Sequence, residues 1–384
     1  MRSGGLTVYR GLATTVALCG LAVAFTGCSS PLRRVADRPT PLLRAPEGFH
    51  WNSRPQWSSD GSHLLATLAP IPGPQTPAWR DPKHLYVLDV ASGSARRLGQ
   101  CVATPRPQFT PDGQHILLDP GSYNTGALAY RDISTGRDEL LYRSGRTVSL
   151  LTASHPPQGR PIAVCGSDDR LIYDSSVGPM SICLIDPVTH ASRVVARPKM
   201  GCLGAYWSSR AELAWIDESP DGKPEVVVAR PPYYSITRIA VPAPTSDIGG
   251  HPWSPDGTRL LVVAGGARPI EPPDMPLVLL SVDVDTGQST EVLRLPAFGY
   301  DPGLQLCWSP DASLIAVGAL RLTKTEARGF VVFHSLSSQR LDDVKIIGPF
   351  TDGPSGLTWS PKGDAVAFAR ESEIDLIRVR PEDG

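Results

Sequence analysis

The chain has 384 residues, a formal net charge of −1 and 41% hydrophobic residues. This length accommodates one large core or two ordinary ones, and the near-zero charge gives no electrostatic attraction for nucleic acid. The 39 prolines and 36 glycines favour many short strands joined by tight turns, and long helical patterns are absent. Composition therefore predicts an all-β protein and no nucleic-acid partner.

The N-terminus is predicted to be a signal peptide rather than part of the fold. A positively charged stretch precedes the apolar run 11–25, which is short for a membrane span. The run ends in Phe-Thr-Gly before Cys28, which resembles the lipobox of bacterial lipoproteins. We expect cleavage of residues 1–27, lipidation of Cys28, a tether over 28–40, and anchoring on the extracytoplasmic side of the bacterial cell envelope. The alternative is ordinary secretion with an unmodified cysteine.

Five cysteines remain once the signal peptide is removed and Cys28 carries lipid: Cys101, Cys165, Cys183, Cys202 and Cys307. They include no C-x-x-C pair, so we predict mostly buried, inert thiols and no metal site. Cys165 and Cys183 fall on neighbouring predicted strands. A disulfide between them is compatible with an oxidising envelope, and the sequence leaves this pairing open.

One motif recurs at intervals of about fifty residues, in the order aromatic residue, Ser-Pro-Asp-Gly-like turn, apolar strand. The aromatic position is occupied by Trp57, Phe109, His155, Trp207, Trp253, Trp308 and Trp359, with histidine in a degenerate copy. One copy carries Ala211 at the glycine position. A period of this length suits one four-stranded propeller blade, with strand A ending at the aromatic residue.

A second hairpin follows in several units, where an aspartate stands four places before the turn residue: Asp89, Asp132, Asp186 and Asp283. These aspartates are predicted to end strands C at the C–D turns. The sequence Asp283-Val284-Asp285 superficially resembles a calcium loop but lacks the later oxygen ligands. We interpret it as a turn.

The last unit is incomplete, because nothing after the strand predicted at 374–379 can form a strand D. The stretch 42–45 is predicted to supply that strand, which closes the ring and removes an exposed edge. The expected fold is a single all-β propeller of about seven four-stranded blades over residues 41–384.

The Trp-Ser-Pro-Asp-Gly turn followed by an apolar strand resembles the repeat of TolB-type propellers, a WD-like class. The resemblance extends over residues 41–384 and implies a propeller whose motif residues are structural. TolB-type proteins carry an α/β domain before the propeller, and the repeats here begin too close to Cys28 to leave room for it. Their role in the Tol–Pal envelope system is therefore not carried over. The same blade type occurs in prolyl-oligopeptidase-type peptidases and in some polysaccharide lyases.

No catalytic residue, metal or cofactor is predicted. A serine hydrolase needs a G-x-S-x-G elbow and an α/β domain, and the sequence shows neither. The histidines are dispersed: His63 and His115 are repeat equivalents, whereas His155 and His251 lie near strands A, which line the channel. A metal site would need several such side chains to converge.

Strand order places the A–B and C–D turns on one face of the ring and the B–C and D–A connections on the other. The first set is tight, whereas the second is long and rich in proline, arginine and aromatic residues. Variable loops on a rigid scaffold usually carry binding function. The candidate partner residues are Trp79, Arg80, Tyr123, Tyr173, Arg268, Phe298 and Tyr300.

The expected function is therefore that of a non-catalytic envelope lipoprotein, a scaffold or sensor that binds an envelope protein or other ligand through one loop face. Its membrane contact is expected to be the lipid anchor alone. One alternative is a propeller enzyme of the lyase or lactonase type, with a polar or metal site in the channel. Another is a structural remnant or stand-alone partner of a separately encoded peptidase. Convergent carboxylates or histidines at the channel mouth would favour the enzyme.

Overall fold

The computed structural model describes residues 31–51, 54–71, 83–102, 106–121, 126–143, 149–157, 159, 161–167, 180–199, 204–232, 234–242, 245–248, 250–264, 276–296, 298–299, 306–322, 326–337, 340–341, 343–351 and 353–380. Strands and turns dominate, and a short 3-10 helix, Pro31–Arg34, precedes the first strand. Within these ranges no helix is both long and apolar enough to cross a membrane.

The first strands in chain order are β1 (Thr40–Arg44), β2 (Phe49–Trp51), β3 (Gln56–Trp57), β4 (His63–Pro70), β5 (Lys83–Asp89), β6 (Ala95–Cys101), β7 (Gln108–Phe109), β8 (His115–Leu118), β9 (Ala127–Asp132), β10 (Asp138–Arg143), β11 (Ser149–Ser154), β12 (Ile162–Ser167), β13 (Met180–Ile185) and β14 (Ser192–Ala196). They are followed by β15 (Tyr206–Trp207), β16 (Leu213–Glu218), β17 (Pro224–Arg230), β18 (Ser235–Ala240), β19 (Thr245–Asp247), β20 (Arg259–Ala264), β21 (Leu277–Asp283), β22 (Ser289–Leu295), β23 (Leu306–Trp308), β24 (Leu314–Leu322), β25 (Ala327–Ser335), β26 (Val344–Phe350), β27 (Ser355–Trp359), β28 (Ala365–Ala369) and β29 (Glu373–Arg378).

These strands form seven antiparallel sheets, the blades of a β-propeller. Blade 1 is β2–β6, where β2 and β3 both pair with β4, and blades 2 to 6 are the successive groups β7–β10, β11–β14, β15–β18, β19–β22 and β23–β26. Blade 7 combines β27–β29 with β1. The innermost strands A of blades 6, 7, 1 and 2 contact one another in turn. The predicted all-β fold of seven four-stranded blades is confirmed.

The A–B turns are held by a buried hydroxyl that follows the hub aromatic. In blade 5, the Ser254 hydroxyl donates to the Asp256 carboxylate at 2.6 Å and accepts the Arg259 backbone N–H at 2.9 Å. Equivalent bonds are made by Ser58, Thr110 and Ser309. Ala211 and Ala312 take positive φ values of 59° and 56° at the place that glycine occupies in other blades. The turn contacts therefore impose a backbone conformation that alanine disfavours by about 1 kcal/mol.

The C–D turns are held by the predicted aspartates. The Asp283 carboxylate accepts the backbone N–H groups of Asp285 and Thr286 at 3.1 and 2.7 Å, and the Thr286 hydroxyl at 2.9 Å. Asp89, Asp132 and Asp186 accept the same kind of backbone bond in their blades. All three bonds are accepted by Asp283 Oδ1 within the turn, as the hairpin interpretation of this segment predicted.

Tryptophan indoles join neighbouring blades at the hub. The Trp253 N–H donates to the Tyr206 carbonyl at 2.8 Å, and the Trp308 N–H donates to the Pro252 carbonyl at 2.8 Å. Trp57 and Trp207 make the same contact at 3.1 Å, each to the strand A of the preceding blade. The hydrophobic clusters likewise lie between blades, as where Phe333 meets Trp359 at right angles. The strands A of blades 1, 4, 5 and 6 are thus fixed to the preceding blade by a directional bond as well as by packing.

Ring closure follows the prediction closely. Thr40–Arg44 pairs antiparallel with β29, with Thr40 opposite Leu376 and Arg44 opposite Glu373. Leu42 and Leu43 pack against the core shared by blades 7 and 1. An N-terminal strand therefore supplies strand D of blade 7, beginning two residues earlier than the sequence indicated.

The predicted tether is wrong for residues 31–37, which we call the N-terminal segment. Leu32 and Val35 are 9% and 2% exposed and belong to the core cluster of blades 6 and 7. Val35 bridges Val379, and the Arg34 guanidinium donates to the Ser313 hydroxyl at 2.9 Å. The apolar side chains of Leu32 and Val35 thus hold this mainly polar stretch on the A–B/C–D face. Residues 31–384 form one compact unit.

The open question of a disulfide between Cys165 and Cys183 is answered by strand register. Cys165 lies opposite Ile182, and Cys183 lies opposite Val164. Residues directly opposite share a sheet face, so the two cysteines point to opposite faces and cannot be bridged. Cys101 and Cys307 are buried, and this burial raises the pKa of each thiol to about 12, which keeps it protonated at neutral pH. Cys202 lies outside the described residues.

The hub indole bonds predict a difference between two matched variants. Trp253 and Trp359 are similarly buried, but the Trp359 N–H is unpartnered whereas that of Trp253 is bonded. Trp253→Phe should lower the free energy of unfolding by about 1 kcal/mol more than Trp359→Phe, because both lose the same volume and one also loses a hydrogen bond. Urea denaturation of the two variants measures the difference. Equal losses would show that the indole bond does not stabilise the ring.

The N-terminal segment and β1 predict that early truncation weakens the whole ring. A chain beginning at residue 45 should lose at least about 3 kcal/mol of stability relative to one beginning at residue 31, the loss expected for exposing Leu32 and Val35. Loss of β1 also leaves β29 as an open edge. Thermal unfolding of both chains provides the measurement, and coincident melting temperatures would contradict the closure.

Candidate functional site

A cavity of about 250 Å³ lies at the hub, among the ends of strands A. Its lining residues come from blades 1, 5, 6 and 7, and they are Gln56, Trp57, Ser58, Ser59, His251, Cys307, Trp308, Pro310, Thr358, Trp359 and Pro361. Serine and proline residues of the A–B turns form its rim. The cavity therefore occupies the turn-side end of the central channel, with mainly aromatic walls.

His251 is the histidine that lines this cavity. Its backbone N–H donates to the Leu306 carbonyl at 3.0 Å, which ties it to strand A of blade 6. The side chain faces channel water, yet the surrounding blades enclose it. This enclosure and, secondarily, the positive charge of Arg54 lower the pKa of the imidazole. A neutral His251 can donate or accept one hydrogen bond to a small polar ligand.

Metal binding would require further ligands beside this imidazole. Within the part of the chain that the structure describes, no three side chains of histidine, cysteine, aspartate or glutamate converge in a geometry that could hold a metal ion. The cavity is otherwise lined by residues that include Gln56 and Thr358, whose side chains carry an amide and a hydroxyl. These groups suit hydrogen bonding rather than proton transfer.

His155 replaces the hub tryptophan of blade 3 and is held by packing. Its ring stacks on Tyr130 with centroids 5.6 Å apart, and Nδ1 lies 3.2 Å from the Gly159 carbonyl oxygen. A carbonyl only accepts hydrogen bonds, so Nδ1 carries the proton of the neutral ring. Burial lowers the pKa of His155 to about 4, against smaller raising effects of the Gly159 bond and of Asp112. His155 is therefore a neutral member of the hub.

His63 and His115 take equivalent places, as their repeat positions predicted. Each Nε2 lies near a C–D turn carboxylate, 3.9 Å from Asp89 and 4.0 Å from Asp132 respectively. Both pairs are partly exposed and belong to separate blades. The two histidine–aspartate pairs are therefore part of the repeated turn structure and do not form a shared site.

Most of the predicted partner residues, namely Trp79, Arg80, Tyr123, Tyr173, Arg268 and Tyr300, lie outside the described residues. Cys28 does too. Phe298 is described, and the prediction that it faces a partner is wrong. Its side chain is 3% exposed, its ring meets Phe330 at 82° with centroids 5.3 Å apart, and the Arg321 guanidinium covers it at 4.6 Å. Phe298 anchors the D–A connection in the core between blades 5 and 6.

Sequence reasoning missed the charged seam between blades 4 and 5. The Arg230 guanidinium donates to the buried Glu212 carboxylate at 2.9 Å and to the Val284 carbonyl at 2.7 Å. Arg210 adds an ion pair with Asp285 at 2.8 Å. These side chains come from three separate elements, namely the A–B turn of blade 4, the end of β17 and the C–D turn of blade 5, so spacing along the chain carries no signal for them. Arg54 differs, because it stands three places before a hub aromatic, as Arg106 does in the next repeat.

No protein-family model matches this sequence, and no curated protein matches it. Among solved structures, an oligogalacturonate lyase from Vibrio parahaemolyticus is similar with a TM-score of 0.68 at 14% identity, covering 90% of this chain and 94% of that one. An oligogalacturonate lyase in complex with manganese gives 0.65 at 15% identity, covering 90% and 93%. A structure from Agrobacterium tumefaciens named for TolB gives 0.47 at 16% identity, covering 78% and 98%. The lyase likeness shows a shared propeller fold, and the TolB score carries no argument.

The state of His155 predicts how stability depends on pH. The pKa of His155 in the folded chain, about 4, lies below the unfolded value near 6.5. The contribution of the neutral ring to the free energy of unfolding is therefore complete above pH 6.5 and is lost as the pH falls towards 4. The full loss is on the order of 3 kcal/mol. His155→Phe, which installs the residue that blade 2 has at Phe109, should remove this component. Urea denaturation at pH 7 and pH 4.5 tests it, and an unchanged pH dependence in the variant would contradict it.

Proposed function

We propose that this chain is a non-catalytic lipoprotein of the bacterial cell envelope that binds a protein or other ligand through its B–C/D–A face. The observation that carries the proposal is the unequal length of the connections on the two faces of the ring. The B–C connections of blades 1, 2, 3 and 5 are the long segments 71–82, 119–126, 168–179 and 265–276. The A–B turns contain five to seven residues, when the turn of blade 5 is counted from the bridge between Trp253 and Leu260.

Polar groups of the short A–B turns form hydrogen bonds within the turns themselves. The carboxylates of Asp60 and Asp256 accept bonds from hydroxyls and backbone N–H groups within their turns, and these bonds lower the pKa of both acids. A carboxylate engaged in this way offers little to a partner. The long connections contain the aromatic and arginine side chains typical of binding hot spots.

Proline content also supports binding through these connections. Pro70, Pro72, Pro74 and Pro77 fall in or beside the blade 1 connection, and four more prolines fall in that of blade 5. A proline-restricted loop has less conformational entropy to lose on binding. Trp79 beside Arg80 offers a large apolar area next to a fixed charge.

The alternative proposal is a propeller enzyme acting in the channel. It is favoured by the hub cavity with His251 and by the likeness to oligogalacturonate lyases, one of them in complex with manganese. Purified protein that cleaved an oligogalacturonide, lactone or ester, and lost that activity in His251→Ala, would establish the enzyme and overturn the binding proposal.

The binding proposal predicts that loop variants alone weaken capture. Replacing Trp79 and Arg80 by alanine should cost on the order of 2 kcal/mol of binding at each hot-spot position, with an unchanged melting temperature. The readout is recovery of co-purifying proteins from detergent-solubilised membranes, quantified by mass spectrometry against the unmodified chain.

The matched controls lie on the opposite face. Ser92→Ala and Thr286→Ala each remove a hydroxyl that donates to a C–D turn aspartate, and neither should change recovery. If recovery fell in the turn variants and persisted in the loop variant, the working face would be the A–B/C–D face.

A further inference from the structure

The N-terminal segment fixes where the chain from Cys28 reaches the propeller. The Ala36 N–H donates to the Arg378 carbonyl at 2.8 Å, and the Arg380 N–H donates to the Arg34 carbonyl at 2.9 Å. Arg34 also contacts the A–B turn of blade 6 through Asp311 at 3.4 Å. The segment therefore lies on the A–B/C–D face, over the seam between blades 6 and 7.

Chain length ties a lipid on Cys28 to the same face. Pro31 is the first residue of the 3-10 helix, and a chain extends by at most about 3.6 Å per residue. A lipidated Cys28 is therefore confined to within about 11 Å of Pro31. An anchor this short leaves little freedom for the ring to turn its other face to the bilayer.

A group of exposed cations lies on the same face, around blade 7, and we call it the basic patch: Arg38, Lys362, Arg378 and Arg380. None of the four forms an ion pair with any residue that the structure describes. Charges of Arg380 and Arg38 help to lower the pKa of the Asp37 carboxyl, after the larger effect of its hydrogen bond to Lys345, so both guanidinium groups lie near it.

The acids that the structure describes around this patch do not neutralise it. Asp37 is paired with Lys345 at 2.7 Å, and Asp311 is paired with Arg34. Asp364, which follows the A–B turn of blade 7, is half-buried, and Glu382 and Asp383 lie outside the described residues. Within the described part of the chain, a local positive charge thus stands out on a protein whose net charge is −1.

We infer that the A–B/C–D face around blades 6 and 7 lies against an anionic phospholipid surface, so that the B–C/D–A face points away from the membrane. The inference deepens the proposed function and rests on it for the anchor at Cys28. The basic patch supplies electrostatic attraction of about 1 kcal/mol per cation near such a surface. The short anchor keeps the ring close to the membrane, and the basic patch turns the A–B/C–D face towards it.

The first experiment needs no lipid anchor. Residues 29–384, which include the whole compact unit, are sedimented with phosphatidylcholine vesicles that contain or lack phosphatidylglycerol. We expect binding to the anionic vesicles alone. The triple variant Lys362→Glu, Arg378→Glu, Arg380→Glu should weaken that binding on the order of 100-fold. A second variant, Arg38→Gln with Lys362→Gln, changes two residues that lie outside the strands. It should weaken binding to the anionic vesicles about tenfold or more.

The matched control reverses three exposed cations near the other face: Arg143→Glu, Arg197→Glu and Lys199→Glu. It changes net charge equally and should leave vesicle binding within about twofold of the unmodified chain, as expected for charges beyond a Debye length of the surface. Absence of binding to anionic vesicles, or an equal loss in the control and in the patch variants, would overturn the inference.

The second experiment uses the processed protein in anionic vesicles. The mass of its N-terminal peptide first reports whether Cys28 is lipidated. An unmodified Cys28 would refute the proposed anchoring. The vesicle binding of the first experiment is measured without the lipid and is judged independently. Hydrogen exchange then reports orientation. Slower exchange in the A–B turns of blades 6 and 7 supports the inference, whereas protection of the B–C connections instead, or of neither face, overturns it.

Discussion

The ring depends on one repeated interaction, the indole N–H of a hub tryptophan donating to the backbone of the preceding strand A. At Trp253 and Trp308 this bond is 2.8 Å long and almost removed from water. A buried amide-type bond fixes both distance and angle, which packing alone does not. In blades 1, 5 and 6 the serine that follows the bonded indole also donates to the aspartate of the A–B turn, so these three turns begin in the same way. Where histidine replaces tryptophan, at His155, the blade uses ring stacking instead.

The two faces of the ring divide their work. On one face the turns form many internal hydrogen bonds, and cations from β29 and its neighbours form no ion pair with any residue that the structure describes. On the other, long connections join strands whose positions are fixed by the blades. With the anchor proposed at Cys28, charge and attachment would lie on one face of the ring and the long, varied connections on the other. Such a separation would let a rigid ring contact a membrane and a partner at the same time.

Much of the fold could be predicted from the sequence, because the determinants are local and repeated. The aromatic positions, the turn aspartates and the closing strand all fall where periodicity placed them. Phe298 was misassigned because the sequence does not distinguish an exposed aromatic residue in a loop from a buried one. Its burial depends on contact with Phe330, which lies in another strand. The N-terminal segment was misassigned because Leu32 and Val35 are isolated apolar residues in a polar stretch. The basic patch joins Arg38 to residues beyond Lys362, which no local pattern connects.

The pairing of β1 with β29 has a consequence for how the molecule is made. The first strand synthesised hydrogen-bonds to the last, Thr40 opposite Leu376, so this contact has nearly the greatest sequence separation that the chain allows. Contacts of such separation form late and slow the search for the native state. A nascent chain emerging from a ribosome or translocon can stack six blades in order but must hold the seventh unfinished until its final residues arrive. During that interval β1 and the growing end both present open strand edges, which makes this interval the one most exposed to mispairing between copies.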